Sequence, residues 1–259
     1  VTLPLVDTHC HLGHHAELSV AAQLERARAA GLVLLVDVGT DVGSSAAAVA
    51  VAATEPDVVA AVGIHPNDAA AATPEALAEI DRLAGADGVV AVGEIGLDRY
   101  RDRTAPAVQE AAFRAQLAIA DRHDRTVMIH CRDAWDDCVR ILEDEGWAGR
   151  RVVLHCYSGD PATTARTVAN GWFHSFAGNV TFTNAAALRE VAALVPTGLL
   201  LTETDAPFLT PHPHRGTPND PSYVALTLAR LADVRGEDPA ALAAAVLANA
   251  RRALPGAGA

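Results

Sequence analysis

Lysine is missing altogether: the twenty basic residues are all arginine. A Schiff-base lysine, a phosphate-loop lysine and a carbamylated lysine bridging two metals are therefore excluded. Positive charge is scarce as well. Thirty-two acidic residues outweigh the bases and leave a net charge of −12. Such a chain is not expected to coat duplex DNA, because that binding depends on neutralising phosphates. A polyanionic substrate would have to be drawn in locally, by a few arginines or by bound cations. Apolar runs such as Leu32–Val36 and Val89–Val92 are far too short to span a bilayer. The opening Val1–Leu5 lacks the basic segment of a secretory signal. The four cysteines show no zinc-type CxxC spacing, and Cys10, Cys131 and Cys156 each follow a histidine directly. On a strand, such neighbours face opposite sides, so free thiols turned away from the histidines are expected, in a reducing, cytoplasmic setting.

What is present is a regular alternation. Short β-branched runs at Leu3–Asp7, Val33–Val38, Val58–Ile64, Val89–Gly93, Val127–His130, Val152–His155, Phe173–Phe176 and Leu199–Thr204 read as strands buried on both faces. A helical stretch follows each of them, and a final helix is expected over Pro239–Leu254. Eight strand–helix units in 259 residues predict an α/β fold, a (β/α)8 TIM barrel forming a single domain over residues 1–259. A doubly wound open sheet is the alternative. It is less favoured because no GxGxxG or phosphate-loop sequence follows a strand.

The histidines and acids fall at the strand ends. His9 and His11 follow the first predicted strand, His65 ends the third, Glu94 the fourth, His130 the fifth, His155 the sixth, and Glu203 with Asp205 the eighth, where their i, i+2 spacing implies one shared strand face. In a parallel barrel those ends share one mouth, so groups remote in sequence converge there. Imidazoles and carboxylates in that number suit divalent metals. His9 and His11 are spaced i, i+2, which puts both rings on one face of an extended segment. Glu94 lies between glycines and offers two oxygens; with no lysine available, it is the best bridge between two cations. Asp205 suits a general base for the attacking water, and Glu203 an acid that orients a ligand. His65, Asp98, Tyr100, Arg132 and Arg215 are expected on mouth loops as substrate contacts. Tyr100, Tyr157 and Phe208 are candidate base-stacking aromatics.

Six blocks in order are Asp7-Thr8-His9-Cys10-His11-Leu12, Gly63-Ile64-His65-Pro66, Gly93-Glu94-Ile95-Gly96-Leu97-Asp98, Ile129-His130-Cys131-Arg132-Asp133-Ala134, His155-Cys156-Tyr157-Ser158-Gly159 and Glu203-Thr204-Asp205-Ala206-Pro207. Together they resemble the TatD family of metal-dependent deoxyribonucleases, among the amidohydrolase-like barrels. The resemblance runs from Val6 to about Tyr223. It implies one ion held by His9, His11, Glu94 and Asp205, and a second held by Glu94, His130 and His155. It also implies 3′→5′ exonucleolytic cleavage of single-stranded DNA with Mg2+ or Mn2+, Zn2+ being a common occupant. Some members are described as D-aminoacyl-tRNA deacylases, and a small-molecule amidohydrolase or lactonase on the same barrel is a further alternative. The family's basic stretch after the Asp-containing block reads here Arg215-Gly216-Thr217-Pro218-Asn219-Asp220-Pro221, short of two basic residues. A monomer or weak oligomer is expected, with no membrane partner.

Overall fold

The structure is a computed structural model and describes residues 3–101 and 103–257. Eight strands pair in sequence order, all parallel: β1 (Leu5–Cys10), β2 (Leu32–Val38), β3 (Val58–Val62), β4 (Val89–Asp98), β5 (Thr126–Arg132), β6 (Val152–Leu154), β7 (Phe173–Phe176) and β8 (Leu200–Thr202). Between them run α1 (Val20–Ala30), α2 (Val42–Ala52), α3 (Pro74–Ala84), α4 (Pro106–Arg122), α5 (Trp135–Asp144), α6 (Pro161–Ala169) and α7 (Ala186–Leu194). After β8 come α8 (Val224–Arg235) and α9 (Pro239–Ala253), the latter packed against β1 and β8. This is the expected (β/α)8 barrel.

Local sequence explains the punctuation. Thr73, Asp160 and Asp238 each accept a backbone N–H of the first helical turn, and a proline follows each cap. Those prolines give up only an N–H that a helix start leaves unbonded. Helix α2 starts at Val42, earlier than the apolar pattern suggests, because Asp41 and Ser44 form a reciprocal capping box. One contiguous cluster of buried apolar side chains runs from Leu5 to Ala257.

Where β8 meets β1 the barrel is closed by side chains as well as backbone. Thr202 Oγ1 donates to the Val6 carbonyl and Thr8 Oγ1 to the Thr202 carbonyl. Buried Asp7 accepts the Thr204 hydroxyl, the Thr204 N–H and the His9 N–H. Backbone bonds from Asp205 to His9 and from His11 to Ala206 complete the seam. The two segments richest in site residues are thus tied to each other directly.

Three boundaries differ from the sequence reading in ways that matter. β1 continues to Cys10, so His9 lies inside a strand rather than after it. β4 runs through Asp98: its ladder with β5 shifts register between Val92 and Ile95, then resumes from Ile95 opposite Ile129 to Asp98 opposite Arg132. Glu94 therefore sits at that irregularity within the strand, not at its end. β8 stops at Thr202, leaving Glu203 and Asp205 in a connection instead of on one strand face.

Candidate metal centre

The barrel mouth holds a cavity of about 720 Å³ lined by His11, His65, Glu94, His130, His155 and Asp205 among others. Glu94 lies at its floor, 3 % exposed. Its two oxygens serve different neighbours. Oε2 lies 3.5 Å from His9 Nε2 and 3.7 Å from His11 Nε2. Oε1 lies 2.6 Å from His130 Nδ1, 3.2 Å from His155 Nε2 and 3.5 Å from His65 Nε2. Asp205 Oδ1 joins the first group, 3.5 Å from His11 Nε2 and 3.9 Å from His9 Nε2. All six candidate ligands are brought together, and His65, in the connection after β3, stands with them.

Second partners fix the rings. His11 Nδ1 donates to the Val38 carbonyl at 2.7 Å, which leaves the Nε2 lone pair facing Glu94 and Asp205. His155 Nδ1 donates to Glu203 Oε1 at 2.9 Å, so its Nε2 likewise faces the cavity. His130 is gripped from both sides, by Glu94 and by Asp98 Oδ2 at 3.3 Å from Nε2. Gly96 makes this approach possible. At φ 138° it passes so close to β5 that an added Cβ would lie 2.1 Å from the His130 carbonyl oxygen. Asp205 adopts φ 55° and Cys156 φ 43°, left-handed conformations of the kind that persist where surrounding contacts dictate them.

The electrostatics describe a pocket built for positive charge. Burial alone would raise the pKa of Glu94, yet His65 and His155 and the bonds from His130 and His155 hold it well below the carboxylate range. Burial also opposes charge on His155, but Glu203 and Glu94 outweigh it and lift its pKa well above the usual value. His130 is raised in the same way by Asp98 and Glu94, and His11 by Asp205 and Glu94, against burial in each case. His9, fully buried and beside His155, is instead pushed down to about 3, so its ring stays neutral. Three sets of donor atoms lie within 4.8 Å of one another: His9, His11 and Asp205; His65, Glu94 and His130; and His9, His155 and Glu203. Nitrogen and carboxylate oxygen donors, several of them orientated by a second hydrogen bond, fit divalent cations.

The remaining sequence candidates divide. Tyr100 is 61 % exposed, and the Arg132 guanidinium lies over its ring, 3.7 Å from the centroid. Asp98 is buried and its carboxylate is used inside the protein: Oδ1 accepts the N–H groups of Tyr100 and Arg101, and Oδ2 accepts from Asn67. Arg215 donates to the Thr210 carbonyl and stacks over Phe182, and does not line the cavity. Tyr157 is not a base-stacking residue. It is fully buried among Trp135, His174 and Phe176, with its hydroxyl on Thr164. All four cysteines are free thiols. Cys10 turns away and donates to the Val36 carbonyl, whereas Cys131 and Cys156, expected to do the same, both line the cavity, Cys156 lying beyond the end of β6 with a left-handed backbone. Sequence reasoning passed over Asp7, Asn67 and Arg103. Asp7 carried a usable signal, an acid two residues before a candidate ligand on an apolar strand.

A family model described as TatD related DNase matches residues 6–255. The chain belongs to the TatD family. An uncharacterized metal-dependent hydrolase TatD of Mycobacterium tuberculosis is 42 % identical over 257 residues, covering 96 % of this chain and 97 % of that protein. A protein of Enterobacter lignolyticus named 3′-5′ ssDNA/RNA exonuclease TatD is 38 % identical over 224 residues, covering 84 % of this chain and 85 % of its own length. Among solved structures, the TatD homologue YJJV of Escherichia coli K12 superposes with a TM-score of 0.90 at 31 % identity, covering 98 % of this chain and 99 % of that one. This TatD protein is therefore a metal-dependent hydrolase. Among its described residues no helix is long and apolar enough to cross a membrane.

Proposed function

We propose that this TatD hydrolase is a 3′→5′ exonuclease acting on single-stranded DNA, with two divalent cations (Mg2+ or Mn2+ in the active form) held in one centre. The observation that carries the reading is the division of Glu94. Its Oε2 lies beside His9 and His11, which Asp205 joins, while its Oε1 lies beside His130 and His155, so that His9, His11 and Asp205 would hold one ion, His130 and His155 the other, and Glu94 would serve both. When bound, the cations supply Lewis-acid polarisation of the phosphoryl group and lower the pKa of a water.

The chain's own side chains do the rest. Asp205, at the edge of the first set and 14 % exposed at its side chain, takes the proton of the attacking water at a carboxylate oxygen. Glu203 fixes the His155 ring through Nδ1 and also accepts the Cys156 N–H at 2.8 Å. Asp98 holds His130 in the same manner, a positioning role in place of a substrate contact. Tyr100 and Arg132 stand at the mouth for base and phosphate. The exonuclease name of the Enterobacter relative agrees with this choice of substrate.

The test is release of mononucleotides from a 5′-labelled single strand in Mg2+ or Mn2+, with D-aminoacyl-tRNA and a lactone run in parallel. Shortening from the 3′ end, one nucleotide at a time, is the expected result. An enzyme that leaves the strand intact while hydrolysing either other substrate would replace the reading.

A further inference from the structure

We propose that the strand leaves the metal centre over one side of the mouth only, the rim formed by the loops after β4 and β5. There Tyr100 stacks a base upstream of the scissile bond, and Arg101, Arg103 and Arg132 follow the phosphates. The inference rests on the exonuclease reading and adds a direction to it.

The two sides of the cavity differ in kind. On the β4–β5 side, Arg101, Arg103 and Arg132 are all exposed and all line the cavity. Among the described residues none of the three pairs with a carboxylate, whereas Arg28, Arg82, Arg114, Arg140 and Arg166 are all taken up in ion pairs. In a chain of net charge −12, cations left open at the mouth are where a phosphate chain gains most. Arg132 covers one face of Tyr100 at 3.7 Å from the ring centroid, yet Tyr100 remains 61 % exposed. The ring is backed by the guanidinium of a cavity-lining residue and stays open to solvent between Asp98 and Arg101, both of which line the cavity, a platform on which any base stacks.

The opposite rim, the connection after β8, offers no such track. Arg215 is its one arginine between Leu200 and Tyr223, and it is committed to the Thr210 carbonyl and the Phe182 ring. Its exposed aromatic, Phe208, meets His11 edge-on with ring centroids 6.1 Å apart. Phe208 thus borders the first ligand set and receives the 3′-terminal nucleoside, while the 5′-ward strand runs across the other side. Tyr100 and the three arginines are positioning residues: they hold the strand and take no part in bond breaking.

The test compares kcat/KM on a dinucleotide and on a long oligothymidylate with the metal-loaded full chain, over a range of NaCl. Wild type is expected to favour the long strand. Tyr100→Ala should cut that advantage by about tenfold, the scale of one lost base stack. The Arg101→Ala/Arg103→Ala pair should cut it likewise and flatten the log–log salt slope by about 1.4, two phosphate contacts at ~0.7 each. Equal fractional losses on both substrates, or an unchanged ratio, would overturn the proposal. So would collapse of the ratio in Arg215→Ala with the rim variants unaffected, since the strand would then cross the β8 side. A wild type inactive on both nucleic acids overturns the exonuclease reading; one active without length preference overturns only the rim.

Discussion

Replacing Asp205 by asparagine separates proton transfer from ligand geometry, because the position tolerates few other residues. Asp205 sits at φ 55°, where asparagine is among the residues that fit with little strain, while alanine would add roughly 1–2 kcal/mol. The carboxylate Oδ1 lies 3.5 Å from His11 Nε2 and 3.9 Å from His9 Nε2. Asparagine keeps one oxygen there and the backbone bond from Asp205 N–H to the His9 carbonyl. Fold and much of the metal should therefore survive. What is lost is the proton acceptor, and general-base catalysis is worth about 10²–10⁴-fold, or roughly 3–5 kcal/mol of barrier. The measurement is kcat on single-stranded DNA beside elemental analysis and a melting curve of the same preparation. A variant that keeps its metal, melts like wild type and still turns over within a few-fold of it would refute the assignment, leaving Glu203 and His65 as the acceptors to examine.

Two further outcomes follow from the packing. Gly96→Ala forces the added methyl onto the His130 carbonyl, 2.1 Å away, and displacement of that ring by an ångström should cost on the order of 10²-fold in rate; wild-type activity in this variant would mean that β4 and β5 separate freely there. His174 is buried against Thr167 and its pKa is pushed down to about 3 by that burial. An unfolded chain binds a proton there below about 6.5 and the native one does not, so stability is complete above that pH and declines as pH falls toward 3. Between pH 7 and 5 this one group should remove about 2 kcal/mol, so urea midpoints of His174→Gln should fall less over that range than those of wild type; parallel losses would contradict it.

The barrel and its mouth were legible in the sequence because buried parallel strands read as short apolar runs, and the candidate ligands fall within those strands or just after them. What stayed hidden is set by tertiary contacts. Nothing local to Glu94 shows that β4 resumes its ladder beyond it, since that depends on β5 lying opposite Ile95–Asp98. Asp98 looks like a loop acid until its bonds to Tyr100, Arg101 and Asn67 are seen. Tyr157 and Cys156 exchange their expected sides because φ 43° at Cys156 turns the chain. The i, i+2 spacing of Glu203 and Asp205 implied one shared face, but β8 ends before them and each finds its own partner.

Metal stoichiometry tests the two-ion centre most directly. Purified protein stripped with chelator and reloaded with Mn2+ should bind two equivalents per chain, and Glu94→Gln should lose metal and nuclease activity together, because each oxygen of Glu94 faces a different histidine set. A wild type that saturates at one equivalent, or a Glu94→Gln protein that still binds two, would contradict a centre bridged by Glu94.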